Sequence, residues 1–241
     1  MIQHRITLGA LAALVLAGCG SGGGGSYEAK SVKQIPPAKL APGQEASIFP
    51  WKVGNQWTYT LDGFRTSATQ GQQSDPTIEI TYRVVSVDPV PGGEKATLEV
   101  TQDGQVQDRQ VWMRNDKGLF QVSVGTEGTA FEPMQPALLF PLDTGSTFKW
   151  SGKGIVPGGK VGTSKAESKV TGPQEVDTEM GRMSGIAIET SSQWESGNLK
   201  GLTNSVSWWA PGTGIVRFKQ TAIANQVAIT QLLKLKSATL K

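Results

Sequence analysis

Ile78-Glu79-Ile80-Thr81-Tyr82-Arg83-Val84 decides the fold class. Ile78, Ile80, Tyr82 and Val84 fall on one face of an extended chain, and Glu79, Thr81 and Arg83 on the other. That two-residue period belongs to a half-buried strand. The phase then slips to Val85 and Val87, which predicts a β-bulge. Outward from here, Pro89-Val90-Pro91-Gly92-Gly93 turns the chain, and Ala96, Leu98 and Val100 alternate on the return. Asp103-Gly104 is a hairpin signal leading into Val106 to Arg114. Asn115-Asp116-Lys117-Gly118 makes the next turn, and Phe120, Val122 and Val124 alternate after it. Near the C-terminus Ile223, Val227, Ile229, Leu233 and Leu235 read as one strand face. No window carries a 3.6-residue stripe. The expectation is an all-β, antiparallel fold of about ten to eleven strands in a curved sheet, half-barrel or sandwich.

The chain also echoes itself. Phe49-Pro50-Trp51-Lys52-Val53-Gly54-Asn55-Gln56-Trp57-Thr58-Tyr59 recurs as Phe140-Pro141-Leu142-Asp143-Thr144-Gly145-Ser146-Thr147-Phe148-Lys149-Trp150, with Phe, Pro and Gly in register and aromatics at matching positions. Trp112, Gly118, Leu119 and Phe120 match Trp208, Gly214, Ile215 and Val216 at equal spacing. The two echoes together predict a duplicated unit of about 90 residues, with halves at 48–139 and 140–241 inside one β domain, 48–241. The proline fixes φ, the glycine permits a left-handed turn, and aromatics at i and i+2 share one strand face. Core packing is the expected use of most of these rings.

The opening segment Phe49–Tyr59 and the closing segment Trp208-Trp209-Ala210-Pro211-Gly212-Thr213-Gly214-Ile215-Val216 resemble a group of uncharacterised β-rich bacterial lipoproteins. Those proteins carry an FPLKxGNxWxY-like opening and a WxAPGxGxV-like close. Trp51 departs from the usual leucine. The resemblance implies a β-rich envelope lipoprotein and carries no established activity or site with it. A looser architectural likeness is to the half-barrels that carry lipoproteins or lipids across the envelope.

The N-terminus agrees with that compartment. Leu16-Ala17-Gly18-Cys19 reads as a lipobox, ending an apolar run from Ile6 to Ala17 behind His4 and Arg5. Twelve helical residues rise about 18 Å, too little to cross a hydrocarbon core of roughly 30 Å. The expectation is a lipoprotein signal peptide over 1–18 and lipidation of Cys19, the one cysteine in the chain. Residues 19–47 read as a flexible tether with an r.m.s. reach of about 30 Å. Gly20, in place of an aspartate, points to the outer membrane if the organism has two membranes.

Removing the leader takes away the only histidine, and loses one from the formal charge of +3 because Arg5 goes with it. A chain this near neutrality gives no reason to expect nucleic acid. Without histidine or a second cysteine there is no Ser-His-Asp triad, no Cys-His pair and no His- or Cys-ligated zinc site. No phosphate-binding glycine loop is present, and no cofactor or metal is expected. Carboxylate chemistry is the remaining catalytic route, with Asp103 and Asp108 or Asp177 and Glu179 as candidate pairs. Three readings follow: a non-catalytic module that binds an envelope protein, glycan or lipid; a carrier of an apolar ligand in a concave sheet; and a carboxylate hydrolase. The first is favoured, with Trp194 and Trp209 as candidate exposed anchors.

Overall fold

Among the described residues, thirteen strands follow the turns that the alternation marks out. A computed structural model describes residues 45–67 and 69–241; the lipobox, Cys19 and most of the tether lie outside the described residues. A short 3-10 turn at Glu45–Ile48 precedes β1 (Gln56–Ser67), β2 (Gly71–Ser74), β3 (Ile78–Val90), β4 (Gly93–Gln102), β5 (Gln105–Asn115), β6 (Gly118–Val124) and β7 (Thr129–Leu139). Then come β8 (Thr147–Val156), β9 (Lys160–Thr178), β10 (Gly181–Ser196), β11 (Leu199–Ala210), β12 (Gly214–Ala224) and β13 (Val227–Thr239).

From β3 onward each strand pairs antiparallel with the next, and β13 returns to β1 over the whole stretch from Gln56–Thr239 to Ser67–Val227. The sheet therefore closes into a barrel, which removes the exposed edges that an open sheet would have to protect. β2 pairs with Phe64–Ser67 on the side of β1 where β3 pairs with Gln56–Leu61. It prolongs the line of β3, so twelve strands surround the core. The all-β antiparallel expectation holds, while the strand number and the closure differ from the expected ten to eleven strands in a curved sheet, half-barrel or sandwich. The closing pair joins residues too distant in sequence for local alternation to announce.

The two seams differ. β13 and β1 are stitched along their full length, whereas β7 and β8 share one residue pair, Glu132–Lys153. On the outer face of the full seam, Lys234 pairs with Asp62 at 3.1 Å, and Lys236 pairs with Glu79.

Period-2 alternation directs Trp57, Tyr59, Leu61, Ile80, Tyr82, Val84, Leu98 and Val100 inward. Outward positions such as Glu79, Arg83, Lys149, Lys165 and Glu189 are exposed. Apolar inside and charged outside is the reverse of a lipid-facing transmembrane barrel. The expected bulge falls between Val84 and Ser86, and the Asp103-Gly104 turn has both residues at positive φ, as a two-residue hairpin requires.

Two local expectations are corrected. On β6 the inward residues are Leu119, Gln121 and Ser123, while Phe120 and Val122 are only partly buried. The interior is polar at this level, so the apolar alternation points the other way. Ile223 and Val227 sit on different strands, because the chain reverses at Asn225-Gln226, both at positive φ.

The opening segments of the two halves build the same turn. Asn55 N–H donates to Lys52 O at 2.9 Å, and Ser146 N–H to Asp143 O at 3.0 Å. Gly54 and Gly145 have φ of 88° and 92°, and donate to Val84 O and Val170 O. Val84 and Val170 donate back to Asn55 O and Ser146 O, both at 2.9 Å. Trp57 and Phe148 are each the second residue of the strand that follows, and both are buried. The second echo does not hold for its tryptophans. Trp112 is in the core, whereas Trp208 is half-buried beneath Arg217; a register shift between Trp208 and Trp209 turns Trp209 inward instead.

Candidate functional site

The most motif-rich residues lock one end of the barrel. Phe49 stands amid four indole rings, with centroids 4.9 Å from Trp57, 5.8 Å from Trp209, 6.0 Å from Trp51 and 6.2 Å from Trp112. The opening and closing motifs then hold each other. Trp57 Nε1 donates to Thr213 O at 2.5 Å, Tyr59 OH to Ile215 O at 2.8 Å, and Gly212 N–H to Ser47 O at 2.9 Å. A Cβ on Gly214 would stand 2.6 Å from Phe49 Cδ2, so the glycine makes room for the ring. Asn55 ties in both chain directions, donating to Pro50 O and accepting from Lys241 N–H. Sequence singles out these residues because they close the fold. None faces an accessible cleft.

Below this hub the interior turns polar along β5. Trp112 Nε1 donates to Gln110 Oε1 at 3.2 Å, and Gln110 Nε2 to Asp108 Oδ2 at 3.1 Å. Asp108 Oδ1 accepts from Arg109 N–H at 2.8 Å and Gly125 N–H at 2.7 Å. Burial pushes the Asp108 carboxyl above its ordinary pKa, and these three donors pull the other way. Tyr82 is pushed up by burial and then by the charge of Asp108. Asp108 thus shapes the interior, with both oxygens already accepting. Asp103 is exposed in the β4–β5 turn, Asp177 is exposed and bound to Arg182 at 3.3 Å, and Glu179 is exposed. Neither candidate pair brings two carboxylates together in a cleft, and no group of three potential metal ligands occurs among the described residues.

The candidate anchors are corrected. Trp194 is 4 % exposed and Trp209 2 %, so neither presents a ring to a partner. Trp209 belongs to the aromatic hub, its Nε1 donating to Ser207 Oγ at 2.9 Å. Trp194 lies across Gly201, its pairing partner on β11, where an added Cβ would stand 2.2 Å from the indole. Trp150 covers Gly152 and Phe131 covers Gly154 in the same way. The signal for burial was a glycine opposite or two residues away, which provides a flat bed for the ring. Polar sequence neighbours say only that the adjacent side chains point outward.

The accessible concavity is elsewhere. A groove of about 670 Å³ crosses the outer face of β8–β11, and an adjoining recess of about 410 Å³ continues it to β12, sharing Ser151, Lys165, Gln193 and Leu202. Strand register explains the lining. Ser151, Lys165, Gln193, Leu202 and Ile223 form one row directly across five strands. Lys149, Glu167, Ser191 and Asn204 form the row beside it, and Thr163, Glu195 and Lys200 the row on the other side. Lys149 pairs with Glu167 at 3.4 Å and Lys200 with Glu195 at 3.0 Å, while Ser191 Oγ bonds Asn204 Oδ1. Leu202 is 46 % exposed. By contrast, a void among Trp57, Trp112 and Phe218 measures about 20 Å³, and one beside Trp150 and Trp194 about 10 Å³. Either holds a single water at most, far too little for an acyl chain.

No protein-family model matches the chain, and no curated protein sequence is significantly similar to it. Among solved structures it is similar to a candidate lipoprotein of Parabacteroides distasonis, with 15 % identity and a TM-score of 0.42 over 80 % of this chain and 98 % of that one. A candidate exported protein of Bacteroides fragilis with a YmcC-like fold gives 14 % identity and 0.43 over the same shares. The hypothetical lipoprotein YmcC of Escherichia coli gives 9 % and 0.33, over 75 % of this chain and 86 % of that one.

Proposed function

We propose that the protein is a lipid-anchored envelope module that binds a partner, without catalysis, through the outer groove of β8–β12. The observation that carries this reading is the contrast in volume: about 670 Å³ outside the barrel, against about 20 and 10 Å³ among the core side chains. The motif residues are engaged in closing the fold, and the buried carboxylate already has its donors. Lipidation of Cys19 places the chain at a membrane, the outer one if there are two. The chain enters the barrel beside Gly212, and Leu202 lies ten residues further back along β11, a strand length of roughly 30 Å. The groove is thus at the end of the barrel away from Ser47.

The test has two arms. Cys19→Ala should abolish incorporation of a palmitate analogue and move the protein out of the membrane fraction. Gln193→Arg with Leu202→Arg should leave the thermal transition intact and remove whatever molecule co-purifies with the wild type, read by mass spectrometry. Turnover of a defined substrate, abolished by one Asp or Glu substitution, would defeat the reading.

A further inference from the structure

The two halves carry opposite charge. Residues 48–139 hold seven Lys and Arg against eleven Asp and Glu, whereas residues 140–241 hold twelve against seven. Every strand of the groove belongs to the basic half. On its floor, Lys165 sits directly across from Ser151, with Lys149 two places before that serine; Lys153, two places after it and exposed, stands at the margin of the lining. Lys165 therefore stands at cross-strand diagonal spacing, about 7–8 Å, from each of the other two lysines. Of the three, only Lys149 has a carboxylate partner among the described residues. Like charges so placed repel one another, and a bound anion relieves the repulsion.

The rest of the lining says what sort of anion. β9, β10 and β11 are paired on both sides, so no main-chain edge is free to hold a peptide as an added strand. Leu202 is the one strongly exposed large apolar side chain on the groove. With Glu167 engaged by Lys149 and Glu195 by Lys200, the other polar groups of the lining include short hydroxyl and amide side chains: Ser151, Ser191, Gln193 and Asn204. Such groups donate and accept together, as sugar hydroxyls do.

We infer that the groove takes an anionic saccharide, its carboxylate or phosphate over Lys149, Lys153 and Lys165 and its hydroxyls along Ser191, Gln193 and Asn204. This rests on the groove being the binding face. The test is calorimetric titration of the full-length chain in detergent with four probes of matched length: oligogalacturonate, a phosphorylated mannan oligosaccharide, neutral galactan and poly-glutamate. At least one acidic saccharide should bind ten-fold or more tightly than neutral galactan and poly-glutamate, and the better of the two tells carboxylate from phosphate. Lys153→Gln with Lys165→Gln should weaken it at least ten-fold, and Asn204→Ala should weaken the saccharide while leaving the thermal transition in place. Poly-glutamate binding as tightly, and lost in the same lysine variant, would overturn the saccharide but keep the groove. No binding of either acidic saccharide at millimolar concentration would also overturn it. Loss of the co-purifying molecule in the Gln193 and Leu202 variant remains a separate check on the groove itself.

Discussion

The turn at Lys52–Asn55 and the turn at Asp143–Ser146 make the same hydrogen bonds and deliver an aromatic to the second position of the next strand. Their surroundings differ. The first turn follows Phe49, whose ring is central to four indoles; the second follows Phe140, which is only partly buried. The first strand is stitched to β13 along its length, and the second meets β7 at one pair. The first turn anchors the hub that closes the barrel end, together with Trp209, Thr213 and Ile215 from the second half, and the strands of the second half offer the groove. The same backbone device can therefore serve stability in one half and leave a surface free in the other.

The largest expected effect tests that division directly. Phe49→Ala should cost about 3–5 kcal/mol, as removal of a fully buried aromatic does, and Phe140→Ala less than half as much. Urea unfolding of the two variants measures both, and equal losses would break the comparison. Glycines sharpen it next. Gly214 and Gly145 both hold left-handed backbone, at φ of 97° and 92°, but an added Cβ at Gly145 meets nothing, whereas at Gly214 it meets Phe49. Gly145→Ala should cost about 1–2 kcal/mol from the backbone alone. Gly214→Ala should add overpacking of ~1–3 kcal/mol to that, read in the same unfolding experiment.

Two carboxylates of the first half should respond to acid with opposite sign. Asp108→Ala leaves three donors without an acceptor and should cost about 1–3 kcal/mol near neutral pH. Burial holds the Asp108 pKa up, so its contribution is fullest below the unfolded value of about 3.9 and falls as pH rises through the folded value. On acidification the wild type should therefore gain stability relative to Asp108→Asn. Asp62 runs the other way. The Thr77 hydroxyl first, and then Lys234, hold its pKa down against partial burial. Its contribution is present above about 3.9 and is lost as pH falls through the folded value. Asp62→Asn should cost only ~0.2–1 kcal/mol at neutral pH, and the gap to wild type should close in acid. Unfolding midpoints across roughly pH 3–7 test both signs.

The turns, the bulge after Val84 and the antiparallel strands from β3 to β5 were legible in the residues, because strand alternation and left-handed turns are set by neighbours one to four positions apart. So was the recurrence of the opening turn, which depends on one proline, one glycine and the following aromatics. Closure was not legible, since β13 finds β1 only when every intervening strand has added its twist. The inward face of β6 was misleading for a related reason: Gln121 and Ser123 face a polar interior that other strands create. Burial of Trp194 depended on Gly201 across a hairpin, and that of Trp209 on a one-residue shift against β12. The groove, finally, belongs to no segment. Its rows take one or two residues from each of several strands, and only register and sheet curvature bring Lys149, Lys165, Gln193 and Leu202 to one concave surface. Local alternation determines which side chains leave the core; the closed sheet decides which of them meet.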